Sequence, residues 1–210
     1  SPSLSSKNDI CRYFDYPSKN ISVIWNGINL DDCKFHQRES FNANFVTIIS
    51  ADVPMKNLKT VLKALYLLKQ DGLNAKLTIV GDLREDNKKL IDRLGLTNEI
   101  TYKSKLPRKQ LIQSLNNADI GIAPSKYEGF GFPLVEMIAT GLPVIVSDKA
   151  SLPELAGNAG LIFNSSDSND LKEKMKELIE NAELRNKVTE NSKLRRDDFF
   201  GWDEYAKKLE

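Results

Sequence analysis

From residue 45 onward, short apolar runs rich in β-branched residues alternate with segments whose apolar residues recur at helical spacing. Alternating strands and helices form βαβ units, which assemble into a parallel sheet that is covered on both faces. The pattern therefore predicts an α/β fold with a Rossmann-like, doubly wound parallel sheet of about six strands. Ligands of such sheets bind beyond the carboxyl ends of the strands. The predicted strands are residues 45–50, 76–80, 99–102, 119–123, 143–147 and 161–163.

Residues 1–44 do not follow this alternation. A short helix is predicted near residues 6–13 and a strand over residues 21–24. Asn26 and Gly27 form a strong turn signal, because both residue types tolerate positive φ. Residues 37–44 are polar and are predicted to be a linker. These segments are too short for a second complete domain.

The composition excludes several classes of protein. The 30 basic and 29 acidic side chains are spread along the chain, whereas nucleic-acid-binding proteins usually show a basic excess. The single histidine, His36, argues against a His-based zinc site, and Cys11 and Cys33 are predicted to be reduced thiols. No apolar run approaches the ~20 residues of a membrane span, and the polar first residues are unlike a signal peptide. The sequence therefore predicts a soluble, cytosolic domain.

The loop between the fourth predicted strand and the following helix carries the most informative pattern. Gly129 and Gly131 lie just before a helix that has Pro133 near its first turn. Glycines allow a ligand to approach the backbone closely, and a helix N-terminus favours an anion such as a diphosphate. Glu128 and Glu136 flank the glycines and are separated by seven residues. Taken singly, these residues could be ordinary turn glycines, an exposed acid and an acid that complements the helix dipole, but their combination favours a binding site.

The segment Glu128-Gly-Phe-Gly-Phe-Pro-Leu-Val-Glu136 closely resembles the signature of family 4 glycosyltransferases, which have the GT-B fold. The segments at 139–148, 152–155 and 157–161 are similar to the same family. Asn26-Gly27 resembles its interdomain turn, and Phe200-Gly-Trp202 resembles its terminal helix. The resemblance implies three regions: residues 1–44 as a remnant of the N-terminal domain with the interdomain linker, residues 45–199 as the nucleotide-sugar-binding domain, and residues 200–210 as a helix packing toward the missing N-terminal domain.

The resemblance also implies roles for individual residues. Glu128 would hydrogen-bond hydroxyls of the donor sugar, and Glu136 would hold the ribose hydroxyls of the nucleotide. Tyr102 and Lys103 lie where family members place backbone around the base. The backbone amides of the loop would line the sugar and the diphosphate; the loop residues are Gly129, Phe130 and Gly131.

Lys56 is the candidate phosphate-binding cation. It precedes a helix predicted to begin near Asn57, where a cation opposes the helix dipole unless an anion lies nearby. This favours a diphosphate partner, the alternative being a solvated surface lysine. Many family members carry a glycine-arginine pair where this chain has Ser50 and Ala51, so one phosphate-binding charge is missing. Lys59 is a neighbouring cation that could replace it.

The function that follows is the donor-binding half of a retaining glycosyltransferase. Such an enzyme moves a hexose from a nucleoside diphosphate sugar, here a UDP- or GDP-sugar, to a glycan or lipid-linked acceptor bound by the missing N-terminal domain. Glu128 and Lys56 would act in catalysis, and no metal and no covalently bound cofactor is expected. The resemblance admits peripheral association of the full-length enzyme with the inner face of a membrane. The alternatives are a non-catalytic nucleotide-sugar-binding module, which Ser50 and Ala51 favour, and a GT-B-like sugar-nucleotide epimerase.

Overall fold

The computed structural model describes residues 1–49, 52–104 and 106–210. Its centre is a six-stranded, fully parallel sheet with the strand order β3-β2-β1-β4-β5-β6. The order reverses at β1, as expected of a doubly wound sheet. The strands are β1 (Asn44–Ile48), β2 (Lys76–Val80), β3 (Ile100–Lys103), β4 (Ile120–Ala123), β5 (Val144–Ser147) and β6 (Gly160–Phe163). All six predicted strands are present, although the predicted end of the first, Ser50, lies outside the described residues.

Helices follow the strands and cover both faces of the sheet. One apolar core joins the sheet to α2 and α7, and a second joins it to α4, α5 and α6. Every residue of the interior strand β5 is buried, as parallel sheets covered on both faces require. The helices are α1 (Leu4–Phe14), α2 (Leu58–Gln70), α3 (Glu85–Arg93), α4 (Arg108–Asn116), α5 (Phe132–Ala139), α6 (Leu152–Ala156), α7 (Ser168–Glu180), α8 (Ala182–Arg196) and α9 (Trp202–Leu209).

The N-terminal region packs against the sheet domain in a way that the sequence did not predict. The strand predicted over residues 21–24 is wrong, because these residues have no regular secondary structure. They pair with the start of the chain instead: the amide of Ile24 donates to the carbonyl of Ser1, and the Nζ of Lys7 donates to the carbonyl of Ile21. The helix predicted near residues 6–13 is confirmed as α1.

The polar segment 37–44 is more than a linker. The guanidinium of Arg38 donates to the carbonyls of Leu115 in the last turn of α4 and Ala118 just beyond it, and to those of Thr140 and Gly141 beyond α5. Burial lowers the pKa of Arg38 to about 10. One arginine thus donates to carbonyl oxygens at the C-terminal ends of two helices, where the helix ladder leaves acceptor capacity unused.

The start of α9 packs against Gly27, in the turn that the sequence singled out. A Cβ atom at Gly27 would lie 2.8 Å from the Cα of Trp202 and 2.9 Å from the carbonyl oxygen of Gly201. Only glycine therefore allows the start of α9 to approach this turn. Cys11 and Cys33 are both free. Within the described part of the chain, no helix is both long and apolar enough to cross a membrane.

Candidate functional site

The loop between β4 and α5 lies at the carboxyl edge of the sheet and contains two glycines with different constraints. Gly131 has a φ of 119° at the N-cap of α5, and a Cβ there would lie 3.2 Å from Cδ2 of Leu152. The fold therefore requires glycine at position 131. Gly129 has a φ outside the left-handed region, and a Cβ there would meet only the Oγ of Ser6, at 3.8 Å. The fold does not need glycine at 129, so the open space beside it is available to a ligand.

Serine hydroxyls hold three successive carbonyl oxygens of this loop. The carbonyls of Glu128 and Phe130 accept from the Oγ of Ser151, the first at 2.9 Å. The carbonyl of Gly129 accepts from the Oγ atoms of Ser3 and Ser6, at 2.7 and 3.0 Å.

The amides of the same loop are free. Across residues 1–49, 52–104 and 106–210, no acceptor pairs with the N–H groups of Gly129, Phe130 and Gly131. With its carbonyls taken, the backbone of this loop offers a ligand only donors. Such a loop suits anions and hydroxyl oxygens.

Glu128 and Lys56 form an ion pair beside the loop. The Oε1 of Glu128 accepts from the Nζ of Lys56 at 2.5 Å and from the Oγ of Ser125 at 2.8 Å. The two charged side chains are only 17% and 19% exposed. Lys56 ends a 3-10 turn (Pro54–Lys56), and α2 begins at Leu58 with Asn57 as its N-cap, in agreement with the predicted start near Asn57. The position of Lys56 predicted a ligand anion beside it, but the carboxylate of Glu128 already supplies negative charge there.

Glu136 is held by Arg108, a residue that was not among the predicted site residues. The Nη1 of Arg108 donates to Glu136, its Nε lies 3.3 Å from the Oδ2 of Asp32, and its Nη2 lies 3.2 Å from the Sγ of Cys33. Glu136 is the fifth residue of α5, beyond the first turn, so its partner is a side chain rather than the helix dipole. Arg108 is the first residue of α4, where a cation opposes the dipole. The same anomaly pointed to Lys56, and it could have revealed Arg108.

The environment of Glu136 is buried and shared by several ionisable groups. Burial raises the pKa of Glu136 above its ordinary value, while the adjacent Arg108 opposes this shift. Burial, followed by the nearby carboxylate of Glu136, raises the pKa of the Cys33 thiol to about 11. Glu136 is thus a carboxylate kept in a poorly solvated position by one cation. A buried carboxylate of this kind is suited to accepting hydrogen bonds from a ligand.

Tyr102 and Lys103 lie on the edge strand β3, near the same end of the sheet. The side chain of Tyr102 is exposed, the carbonyl of Lys103 accepts from the amide of Gly81, and the Nζ of Lys103 donates to the Oγ of Ser114. A cavity of about 180 Å³ opens beside the ends of β1 and β2, and neither Tyr102 nor Lys103 lines it. Its lining is mostly apolar and comprises Ile48, Ile49, Val80, Gly81, Asp82, Leu106 and Leu111.

Lys59, the neighbouring cation noted in the sequence, lies in the first turn of α2. It lines a cavity of about 390 Å³ that lies between α2 and the start of α3 and does not include Lys56 or Glu128. Ser50 and Ala51, the departures noted in the sequence, lie outside the described residues. Among the residues that the structure describes, no group of three or more His, Cys, Asp and Glu side chains is arranged to hold a metal ion.

Comparison with known proteins identifies the family of this chain. Over residues 32–195, the chain matches the family model described as "Glycosyl transferases group 1". The chain belongs to this family. The predicted resemblance to GT-B glycosyltransferases and the predicted α/β fold are therefore both confirmed.

Two relatives and one solved structure show which proteins this group 1 glycosyl transferase chain is similar to. MMP α-(1→4)-mannosyltransferase of Mycolicibacterium hassiacum is 29% identical over 97% of this chain and 50% of that protein. O-antigen chain mannosyltransferase B of Escherichia coli is 29% identical over 77% of this chain and 46% of that protein. Anabaena Alr3699/HepE, in complex with UDP-glucose, superimposes with a TM-score of 0.83 at 21% identity, covering 100% of this chain and 62% of that one. The chain spans about half the length of these curated relatives.

Proposed function

We propose that this chain is the donor-binding half of a retaining glycosyltransferase that moves a hexose from a nucleoside diphosphate sugar to a glycan or lipid-linked acceptor. The observation that carries the proposal is the position of the Lys56–Glu128 pair beside a loop whose backbone offers only N–H donors. Each of these groups suits one part of such a donor's reacting end. The cation suits the diphosphate, the carboxylate suits the sugar hydroxyls, and the free amides suit the oxygen that joins the diphosphate to the sugar.

The donor class draws support from the relatives. Two of them are named as mannosyltransferases, and the Alr3699/HepE structure holds UDP-glucose. A UDP- or GDP-hexose is accordingly the proposed donor. The small apolar cavity beside β1 and β2 is the proposed place for the base, and the exposed ring of Tyr102 lies on the neighbouring edge strand. The carboxylate of Glu136, oriented by Arg108, is the proposed partner of the ribose hydroxyls.

The proposed reaction uses the ion pair to stabilise the leaving group. As the bond between the anomeric carbon and the diphosphate oxygen breaks, negative charge grows on the diphosphate. Lys56 and the free loop amides then stabilise that charge, and preorganised groups of this kind are usually the largest contribution to catalysis. The acceptor oxygen forms the new bond on the same face of the sugar, and its proton passes to the departing diphosphate.

Glu128 is assigned to positioning rather than to nucleophilic attack. Its Oε1 is already occupied by Lys56 and Ser125, while Oε2 has no partner in the described part of the chain. Oε2 can therefore accept from a sugar hydroxyl while Oε1 keeps Lys56 in place. A carboxylate engaged in this way is a weak nucleophile, because its charge is already stabilised.

The acceptor site is proposed to belong to an N-terminal domain that the curated relatives have room for and this chain does not contain. The exposed aromatic residues Tyr13 and Phe14 at the end of α1, and Trp202 at the start of α9, are the proposed contacts with that domain. The complete enzyme is proposed to act in the cytoplasm, at the inner face of a membrane when its acceptor is lipid-linked. A non-catalytic nucleotide-sugar-binding module is the second candidate, favoured by Ser50 and Ala51 in place of the glycine-arginine pair.

A comparison of two polypeptides tests the proposal. One is this chain, and the other is extended upstream by about 150–200 residues, a typical domain length. Both are expected to bind a UDP- or GDP-hexose, but only the longer one is expected to transfer the sugar. The orientation of acceptor and donor that the second domain provides can be worth ~7–11 kcal/mol of the barrier. Equal transfer by both polypeptides would overturn the division into halves, and donor binding without transfer by the longer one would favour the non-catalytic module.

A further inference from the structure

We infer that Ser3 and Ser6 are positioning residues for the donor loop, and that their hydroxyls hold the Gly129–Phe130 peptide so that its N–H faces the donor. This inference rests on the proposed function, since it names two groups that make the proposed donor site competent. Both serines lie more than 120 residues from the loop in sequence. They lie on the helix α1 and at its N-cap, outside the sheet domain that forms the rest of the site.

The geometry of the two hydroxyls is that of a clamp on one carbonyl oxygen. Ser3 Oγ lies 2.7 Å and Ser6 Oγ lies 3.0 Å from the carbonyl oxygen of Gly129, so both lone pairs of that oxygen are used. Ser3 is fully buried, and its Oγ also accepts from the amide of Ser6, which caps α1. A single side chain therefore fixes the start of α1 and the orientation of the loop peptide.

Holding the carbonyl also fixes the amide. No cis peptide bond occurs among the described residues, and in a trans peptide the C=O and N–H groups point in opposite directions. The N–H of Phe130 must therefore point away from Ser3 and Ser6, and it donates to no group in the described ranges. Its direction is away from α1, toward whatever ligand occupies the loop.

In the described part of the chain, only Ser3 and Ser6 donate to the carbonyl oxygen of Gly129, while Ser151 holds the carbonyls on either side of it. Glycine at this position leaves the backbone dihedral angles permissive, and the fold leaves open space where its side chain would be. If the hydroxyls were lost, the peptide could rotate and present its carbonyl oxygen to the ligand. A carbonyl oxygen repels a diphosphate or a sugar oxygen that an N–H would attract, so the same loop would change from a binding to an opposing surface.

The helix that carries the two serines is itself fixed to the site. The amide of Leu4 donates to the carboxylate of Glu154, which also accepts from the indole of Trp25. Asp9 accepts from the hydroxyl of Tyr127, two residues before Gly129. The position of α1 therefore determines whether the hydroxyls reach the loop, and any movement of α1 relative to the sheet domain would release the peptide.

The test compares serine variants of this 210-residue chain by calorimetric titration with UDP, GDP and the matching nucleosides. Ser6→Ala removes one hydroxyl without touching the N-cap, Ser3→Ala/Ser6→Ala removes both, and Ser6→Thr keeps the hydroxyl. Ser5→Ala is the matched control, because Ser5 makes no side-chain hydrogen bond in the described part of the chain. Thermal denaturation of each variant measures any change in folding.

Ser6→Ala is expected to weaken the diphosphate by about three- to tenfold, the effect of one hydrogen bond. It should leave nucleoside affinity unchanged, and Ser6→Thr should restore diphosphate affinity. A purely structural role would lower the denaturation temperature and weaken both ligands alike, which would overturn the inference. Parent-like diphosphate affinity in the folded double variant, or in Ser6→Ala if the double variant does not fold, would overturn it while leaving the proposed function intact. If the parent bound no diphosphate, the proposed function and this inference would fall together.

Discussion

The Nζ of Lys56 lies 2.5 Å from the Oε1 of Glu128, and this contact joins the loop after β1 to the loop after β4. The two strands are neighbours in the sheet, so their carboxyl ends bring together residues that are 72 positions apart in the chain. Each charge is stabilised by the other before any ligand arrives. A diphosphate therefore has to share Lys56 with Glu128 instead of meeting an isolated cation.

Replacing Lys56 should weaken diphosphates much more than nucleosides. Lys56→Met removes the charge and leaves Glu128 unpaired beside the diphosphate, so both changes oppose binding. The expected loss is ~1.5–3 kcal/mol, the range for hydrogen bonds that involve a charged group. Calorimetric titration with UDP and GDP, and with uridine and guanosine, measures it. Lys59→Met is the matched control, because Lys59 lines a separate cavity. An equal loss in both variants would mean that only the general charge of the surface matters.

The two loop glycines should separate folding from binding. Gly131→Ala places a side chain at a φ of 119° and close to Leu152, and it should lower the free energy of unfolding by about 1–3 kcal/mol. Gly129→Ala should leave that free energy within about 1 kcal/mol of the parent. Its methyl group should nevertheless weaken a bound nucleotide sugar by ~1–3 kcal/mol through overpacking. Urea denaturation and titration together measure both quantities. Unchanged donor binding by Gly129→Ala would show that the ligand does not approach this loop.

Replacing the carboxylate of Glu136 should weaken nucleotide binding without destabilising the fold. The pKa of Glu136 is raised by burial despite Arg108, so its charged form opposes folding. The contribution of Glu136 to the free energy of unfolding is fully present at pH values below its ordinary pKa. It is lost as the pH rises through the raised pKa. Glu136→Gln should therefore match or exceed the parent in thermal stability at pH 7. The difference should shrink as the pH falls through the pKa of Glu136. The opposite result would be a Glu136→Gln variant that falls further below the parent in stability at pH 7 than at pH 4. It would show that pairing with Arg108 outweighs burial.

Arg38 should be a large contributor to stability although it lies in a polar segment. Its guanidinium donates to carbonyls at the ends of both α4 and α5, and Arg38→Met would take the donor from the carbonyls of Ala118 and Gly141. Each buried unsatisfied group costs about 1–3 kcal/mol, so a loss of ~3 kcal/mol in the free energy of unfolding is expected. Arg38→Lys should recover little of this, because an ammonium lacks the planar set of donors. Full recovery by lysine would indicate that charge, rather than the arrangement of donors, is what matters.

The sheet was predictable from the sequence because its information is local. Each strand is a short β-branched run between turn residues, and right-handed crossovers limit the orders in which such strands can be arranged. The strand predicted over residues 21–24 shows the limit of this reasoning. Ile21, Val23 and Ile24 have strand-like composition, but the segment pairs with the first residues of the chain rather than with a sheet edge.

The site was predictable only in part, because its contacts are long-range. The glycines, the two acids and Lys56 stood out through their position relative to strands and helix starts. The partners that orient them, Arg108 and the serines of α1, come from distant segments that carry no local signal of contact. Arg108 alone left a trace, as a cation at the start of a helix. Physical anomalies of that kind are the sequence features from which such partners can be found.

Calorimetric titration of this chain with UDP, GDP and ADP, alongside Glu136→Ala, tests the donor-binding proposal most directly. The proposal predicts that at least one of these diphosphates binds far more tightly than its nucleoside. It also predicts that Glu136→Ala weakens that binding by ~1.5–3 kcal/mol, the cost of losing a hydrogen bond to a charged group. Failure of all three diphosphates to bind, or equal binding by the parent and Glu136→Ala, would contradict it.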